Sequence, residues 1–594
     1  MGFRTKLVVA LGALALVPAG AAFAAPSSSP GSSGPGSSWS GPPEGAWTSE
    51  DSWDIPGAVV IDERDDTSAS EDETLFSKLR SKFRDLVVVD TDLVASTHIH
   101  LAYVDPSEVN DLVAAASADA SVEGAEPLAY VRAMFTPNDP LFEKQWHMER
   151  IGAQAAWDYS SGRGATVAVV DTGVACEDFE QFTKGTDLAD TRCVGGWNFV
   201  TNTEHANDDQ GHGTHVAGTI AQSTNNGIGA VGVAFDARLM PVKVLNSQGW
   251  GTTEDVASGI RWAADHGAQV INLSLGGPRN SKIMEDAVTY AHDHGAVVIA
   301  AAGNSGGSVG YPGGCEHAVG VSASDENDKL ANFSSRGPEV DIAAPGTNVT
   351  QQTICNGGKN KCEVFPAYNG TSMATPHVAG VAALLVAQGI TDPDAIEDAL
   401  KSSARVVDDS EAGKKLYGSG ILDGANAVRK TAETQAAWRL ALLAGLSIVI
   451  GIAARKKNRD ATSPFNFAYI VGGLLAGPGL FFFAPLLFSR VALPIDLAAR
   501  PLGDMDLYLG VSWHKYLPLA NALIPAVLSA VTFQIKALRP FVAGIAAGTA
   551  AYLLATLGLH QMRGPFGTVL LSVWCSANAF FCYLIARMQL AENK

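Results

Sequence analysis

After Thr434 the chain consists largely of long apolar runs, which no single water-soluble globule can accommodate together with the polar body that precedes them. The runs cover residues 440–454, 467–488, 517–533, 541–559 and 566–586. Most approach the ~20 residues needed to cross a bilayer as a helix, the first and third being short, and few charges interrupt them. About five spans are therefore expected within residues 436–588; the competing reading is buried core helices of a soluble domain. Arg455, Lys456, Lys457 and Arg459 follow the first run, and Lys536 with Arg539 follows the third. Basic loops stay cytoplasmic, so both loops should lie inside and the N-terminal body outside.

The other end of the chain agrees. Arg4 and Lys6 precede an apolar run over 7–17, and Pro18 breaks it before Ala22-Phe23-Ala24, a small-x-small cleavage pattern. Residues 1–24 read as an export signal, too short to remain as a span. The formal net charge of -20, with no basic run outside the membrane flanks, argues against nucleic acid and suits an exposed body. Cysteine usage fits an oxidising compartment: Cys355 and Cys362 flank a turn-rich loop that a disulfide could close, Cys176 with Cys193 is the next candidate pair, and Cys315 is left over.

At 594 residues the chain must hold several domains. Residues 25–57 are Ser, Pro and Gly with a few Trp and acids, a disordered linker by composition. From 58 to 135, strand-like runs at 86–89, 98–103 and 128–131 surround helix-like segments at 75–84 and 107–116, a small α+β module. From 136 to 433 the character is α/β. Apolar runs of strand length at 166–170, 239–245, 269–274, 296–302 and 317–322 alternate with helical segments such as 253–266 and 281–294. Near-continuous apolar strands between helices predict a parallel sheet covered on both faces, with its working edge beyond the strands' carboxyl ends.

Three segments bring chemistry to that edge. Val167-Ala168-Val169-Val170-Asp171-Thr172-Gly173 delivers a carboxylate at a strand end, and Gly211-His212-Gly213-Thr214-His215 places a histidine at a helix start. Asn369-Gly370-Thr371-Ser372-Met373-Ala374 puts a serine at the N-terminus of an Ala/Val/Leu-rich helix, apolar on all sides, in which Pro376 is expected in the first turn. A serine hydroxyl becomes a nucleophile when an imidazole takes its proton, and the imidazole needs a carboxylate to fix its tautomer. The resulting oxyanion needs preorganised donors, which the Ser372 N–H and the amide of Asn304, just past a strand in Ala302-Gly303-Asn304, can supply.

Taken together these segments resemble the subtilisin-like serine proteases, the subtilases, over roughly 138–427, in the chain order Asp, His, Ser. The resemblance implies that Asp171 orients, His212 is base and acid, Ser372 is the nucleophile and Asn304 lines the oxyanion hole. Thr136-Pro137-Asn138-Asp139-Pro140 and Ser223-Thr224-Asn225-Asn226-Gly227-Ile228-Gly229-Ala230 are most similar to the thermitase branch. By that likeness Asp139 and Asn226 bind a structural calcium ion, with carbonyls near Ser223, Ile228 and Ala230. Ser274-Leu275-Gly276 resembles the segment that pairs with extended substrate, as does Gly249-Trp250-Gly251 opposite it. Gly310 matches the floor of the specificity pocket, which implies a large apolar residue before the scissile bond. The module at 58–135 sits where subtilases carry an inhibitory propeptide, so self-cleavage is expected near 134–136.

Each motif has a plainer reading. A lone Asp-Thr-Gly also occurs in aspartic proteases, which need two. His212 and His215 could hold a metal, but the His-Glu-x-x-His pattern is absent and ordinary helix histidines fit better. Gly370-Thr371-Ser372-Met373-Ala374 is not the Gly-x-Ser-x-Gly elbow. The expectation is a membrane-anchored extracytoplasmic endopeptidase, its partners being protein or peptide substrate, its own propeptide and membrane lipid. The alternatives are an inactive peptide-binding module, which predicts a substituted triad, and a protease-linked transporter, which predicts ionisable residues within the spans.

Overall fold

The computed structural model describes residues 54–64, 66–89, 98–129, 135–482, 500–508, 510–565 and 567–591. The expected export signal, most of the expected linker, the start of the expected cleavage junction and the end of the second apolar run lie outside the described residues. The chain divides into two compact units, Met1–Arg132 and Ala133–Lys594.

The first unit is an antiparallel sheet of β1 (Asp54–Glu63), β2 (Val87–Val89), β3 (Ile99–Tyr103) and β4 (Val122–Ala129), ordered β2-β3-β1-β4. Helices α1 (Ala69–Lys82) and α2 (Val109–Ser117) cover it. Leu75, Phe76 and Leu79 of α1 and Leu112 of α2 share one core with Val59, Ile61 and Ala102 of the strands. This is the α+β module expected from the sequence. Its first strand starts at Asp54, which already pairs with Ala129, so the linker ends before Gly57.

In the second unit β5 (Thr166–Asp171), β6 (Arg238–Lys243), β7 (Val270–Leu273), β8 (Val297–Ala301), β9 (Ala318–Ser324) and β10 (Ile342–Pro345) run parallel. Their order is β10-β9-β8-β7-β5-β6, and the two-residue strands Arg192–Cys193 and Trp197–Asn198 extend it beside β6. Alternate strand residues serve different cores. Val167, Val169, Val270 and Ile299 meet α3 (His212–Ala221), α6 (Thr371–Val386) and α7 (Pro393–Ser403) on one face. Ala168, Val170, Ile271 and Val298 meet α4 (Thr253–Asp265) and α5 (Lys282–Asp293) on the other. Burial on both faces is why these strands read as unbroken apolar runs. The chain leaves β5 for β6 on one side and returns to β7 on the other, so the strand order reverses at β5, which Asp171 ends. Cys176–Cys193 and Cys355–Cys362 are disulfides, and Cys315 is a free thiol.

Helix α8 (Gly424–Lys457) leaves this body without a break. Ala427 and Val428 belong to the core of the α/β body, whereas Leu443, Ile450 and Ala454 belong to a second, all-helical core. The domain boundary expected between 433 and 436 thus falls inside one helix, because hydropathy marks only the apolar part of it. After α9 (Phe467–Ala476) and α10 (Leu523–Thr532) come α11 (Arg539–Leu559) and α12 (Thr568–Ala591). Among the described residues three helical segments, Gly424–Lys457, Lys536–Leu559 and Thr568–Ala591, are long and apolar enough to cross a membrane; α9 and α10 are shorter apolar helices. The joint between body and helices is polar. Arg439 pairs with buried Asp504 at 3.1 Å, Tyr552 donates to the same carboxylate at 2.5 Å, and His514 lies 2.6 Å from Asp506. Gln435 donates to the carbonyl of Gln388, just past α6, at 3.2 Å.

Candidate active site

Asp171 is fully buried at the end of β5. Its carboxylate receives the Thr172 N–H at 2.7 Å and lies 2.8 and 3.0 Å from His212 Nδ1. His212 opens α3, and that helix can approach only because residue 213 is glycine: a Cβ there would lie 2.1 Å from the Gly173 carbonyl oxygen. Asp208 fixes the first turn. Its Oδ1 accepts from Thr172 Oγ1, Gln210 N and Gly211 N at 2.9 Å each, and its Oδ2 accepts from Thr214 N and Oγ1 at 2.9 and 2.7 Å. Buried Lys243, opposite Asp171 in β6, donates to Thr172 O at 2.5 Å, Leu245 O at 2.9 Å and Asp209 at 2.7 Å. Burial pushes the His212 imidazole down, but the charge and hydrogen bond of Asp171, with the charge of Asp208, outweigh it and raise the pKa. Neither Asp208 nor Lys243 was marked by any motif.

Ser372 lies in the first turn of α6 and is the one residue of that helix that is not buried. Strands β5, β7 and β8 are neighbours, and the segments leaving them deliver Asp171, Ser274 and Asn304 along one edge. Asn304 Oδ1 accepts from Thr371 N at 2.8 Å and Thr371 Oγ1 at 2.9 Å, which fixes the side-chain amide. Its Nδ2 would be 3.4 Å, and Ser372 N 3.6 Å, from a Cβ placed on Gly370, so both donors border one point that only a glycine leaves open. A serine hydroxyl, an imidazole backed by a carboxylate, and two N–H donors around one point can add an oxygen to an acyl carbon and stabilise the oxyanion.

Pro376 is not in the first turn, as expected, but is the sixth residue of α6. There its missing N–H withholds the helical hydrogen bond from the carbonyl of Ser372, four residues earlier. Ser274 Oγ fills the gap, donating to Ser372 O at 2.8 Å while accepting from Asn272 Nδ2 at 3.0 Å. The segment expected to bind substrate is thereby bonded to the serine itself.

Beyond Ser274 the chain passes through half-buried Leu275 to exposed Gly276 and Gly277. Gly277 and Tyr311 exchange backbone hydrogen bonds of 2.8 and 2.9 Å, which brings Gly310 against the Gly277 carbonyl, 3.1 Å from where its Cβ would be. Gly249 lies in a turn closed by Asn246, whose Oδ1 accepts from Gln248 N and Trp250 N; Trp250 is 76% exposed. His215 is buried, stacks on Tyr368 at 4.2 Å and lies 3.1 Å from the Pro366 carbonyl, the contacts of a packed helix residue.

The residues expected to hold calcium lie together. Asp139 accepts from Asn225 N at 2.6 Å and Asn226 N at 3.3 Å; Asn226 Oδ1 accepts from Ile228 N at 2.9 Å. The structure adds Asp187, fully buried, which accepts from Asn226 Nδ2 and Ala230 N at 2.9 Å, while Ser223 N donates to its backbone carbonyl at 3.0 Å. Burial, with the nearby charge of Asp139, pushes Asp187 up to about 7. Two buried carboxylates beside an amide oxygen and loop carbonyls are a hard-oxygen set, and their mutual repulsion is what a divalent cation relieves.

The family model described as the subtilase family, peptidase S8, matches residues 162–424. Thermitase of Thermoactinomyces vulgaris is 45% identical over 257 residues, covering 43% of this chain and 87% of that protein. A thermophilic serine proteinase of Bacillus sp. (strain AK1) is 38% identical over 338 residues, 56% of this chain and 79% of its own. Subtilisin Savinase of Lederbergia lenta is 42% identical over 287 residues, 48% of this chain and 98% of its own.

Proposed function

Because the chain belongs to the subtilase family and is a serine endopeptidase, we propose that Asp171, His212, Ser372 and Asn304 carry out its catalysis outside a membrane. The observation behind this reading is the bond of 2.8 Å between His212 Nδ1 and buried Asp171, on the edge that also carries Ser372 and Asn304. Ser372 Oγ adds to the peptide carbonyl carbon and its proton passes to His212 Nε2. Asp171 holds the Nδ1–H tautomer and stabilises the imidazolium. The Ser372 N–H and Asn304 Nδ2 receive the oxyanion. Collapse expels the amine, which takes the proton from His212, and leaves an acyl-enzyme that water hydrolyses by the same steps.

Substrate binds as an added strand between Ser274-Leu275-Gly276 and the turn at Gly249, with a large apolar residue directed toward Gly310. Calcium binds Asp139, Asp187 and Asn226 with carbonyls of the loop 223–230 and ties the start of the body to that loop. The first unit is an inhibitory propeptide removed by self-cleavage near 134–136, and the C-terminal helices anchor the body in the membrane.

Ser372→Ala tests the whole reading. It removes the nucleophile and little else, so activity on a casein or peptide substrate falls by about 10⁶-fold, the scale on which loss of the serine acts in subtilisin. The variant accumulates with its first unit attached when expressed in a host lacking other proteases. Full maturation of that variant would assign the cut to another enzyme, and residual activity near the wild-type level would dismiss Ser372 as the nucleophile.

A further inference from the structure

Among the described residues two groups of side chains have the make-up of a metal site, and the one in the α/β body lies away from the catalytic edge. His292 near the end of α5, His317 just before β9 and Asp394 in the first turn of α7 bring their ligand atoms within 4.8 Å of one another. The His292 side chain is only 9% exposed. Its Nε2 lies 2.8 Å from Asp394 Oδ1, and its ring stacks on that of His317 with centroids 4.1 Å apart. Its Nδ1 is buried with no hydrogen-bond partner; Asp293 Oδ1, at 3.8 Å, is too far to bond. A ring nitrogen buried in this way is costly to leave unpaired.

We propose that His292, His317 and Asp394 bind one zinc-class divalent ion, through His292 Nε2, a ring nitrogen of His317 and a carboxylate oxygen of Asp394, with water in the fourth position. Two imidazoles and one carboxylate suit zinc, whereas calcium takes six to eight oxygens, so this site differs in kind from the one at Asp139. Tetrahedral zinc at its usual bond lengths holds its ligand atoms about 3.4 Å apart. The Asp394 side chain is 62% exposed and the His317 side chain half-buried, so both can close that distance around fixed His292. Ligation through Nε2 would place the ring proton on Nδ1, which is without a hydrogen-bond partner. A metal-bound histidine ordinarily donates its other N–H to a carboxylate, and Asp293 is the one beside it.

The ion would join two parts of the molecule. Arg563, in the connection between α11 and α12, donates to the His292 carbonyl and lies 3.8 Å from Asp394 Oδ2 and 3.7 Å from Asp392. Fixing Asp394 therefore also fixes the partner of Arg563, and the helical region is held to the α/β body through the metal.

The test uses the untagged full chain carrying Ser372→Ala, to prevent self-digestion, in detergent micelles after removal of metals with a chelator. Titration with Co²⁺ should produce the intense visible absorption of a tetrahedral ion, saturating at one equivalent, and Zn²⁺ should abolish it. Zn²⁺ should also raise Tm. Adding His317→Ala, or independently Asp394→Asn, should remove both the absorption and the Zn²⁺ shift in Tm while a Ca²⁺ shift persists. Absence of the absorption in the parent chain, or its survival unchanged in both variants, would overturn the assignment.

Discussion

His212 and three deeply buried histidines, His147, His215 and His377, carry the same imidazole and move in opposite directions. Burial disfavours the charged ring in all of them, but only His212 faces the carboxylate of Asp171, which raises it above the ordinary value. Burial carries His147 well down and His215 to about 3, each helped by the charge of neighbouring histidines, and takes His377, 2.8 Å from His147, to about 4. The base must be neutral to accept a proton, so the acid limb of kcat/KM should lie above pH 6.5. Asp171→Asn should lower the rate by about 10⁴-fold and bring the limb down. A limb below pH 6 in the wild type would separate the limb from His212. Stability has its own sign. The unfolded chain protonates these histidines near pH 6.5, while the folded one keeps His377 neutral until about pH 4. The unfolded state then binds more protons at this group, so the contribution of His377 to stability is full above 6.5 and is lost as pH falls toward 4, about 3 kcal/mol. Denaturant unfolding of Ser372→Ala at pH 7 and 4.5 measures the decline, and equal midpoints would contradict it.

Helix α6 shows how an element sets a side chain. Pro376 frees the carbonyl of Ser372, and Ser274 takes it up. Ser274→Ala should cost about 1–3 kcal/mol by leaving that carbonyl unpaired. Because the same turn aims Ser372, kcat should fall with it, and an unchanged kcat would confine Ser274 to a structural part. The cation proposed for the loop 223–230 is tested in a different way. A ligand that binds only the folded state stabilises it by about 2.7 kcal/mol at a hundred times its Kd. Chelation should therefore lower Tm, and Asp139→Ala should blunt the loss; a Tm indifferent to chelator would remove calcium from the loop. The places of Asp171, His212, Ser372 and Asn304 in the fold were legible because local motifs mark strand ends and helix starts. Ser274's bond to α6 was not, since it turns on Pro376 lying one turn deeper than expected. Asp187 was missed because it reaches Asn226 from a distant part of the chain with no motif of its own.

At the scale of the molecule, the parallel sheet could be read directly from its strands because burial on both faces makes them apolar throughout. The helical region was legible only as hydropathy. That signal was blind to α8 beginning inside the α/β body and to Asp504 and Asp506, which lie between apolar runs yet fold into the joint beside Arg439 and His514. The orientation with the α/β body outside makes a further prediction. A reporter that works only outside the cytoplasm should be active when fused after Glu433 and silent after Lys457; the reverse result would invert the topology. The continuity of α8 has a last consequence. On the proposed anchored reading α8 would rise from the bilayer with no linker; it meets the far end of α6, and the 16 residues of α6 set Ser372 about 24 Å from that joint. An enzyme so anchored would be a fixed arm rather than a tethered one. Its reach would then be a height above the lipid, so that bonds held close to the surface would be spared.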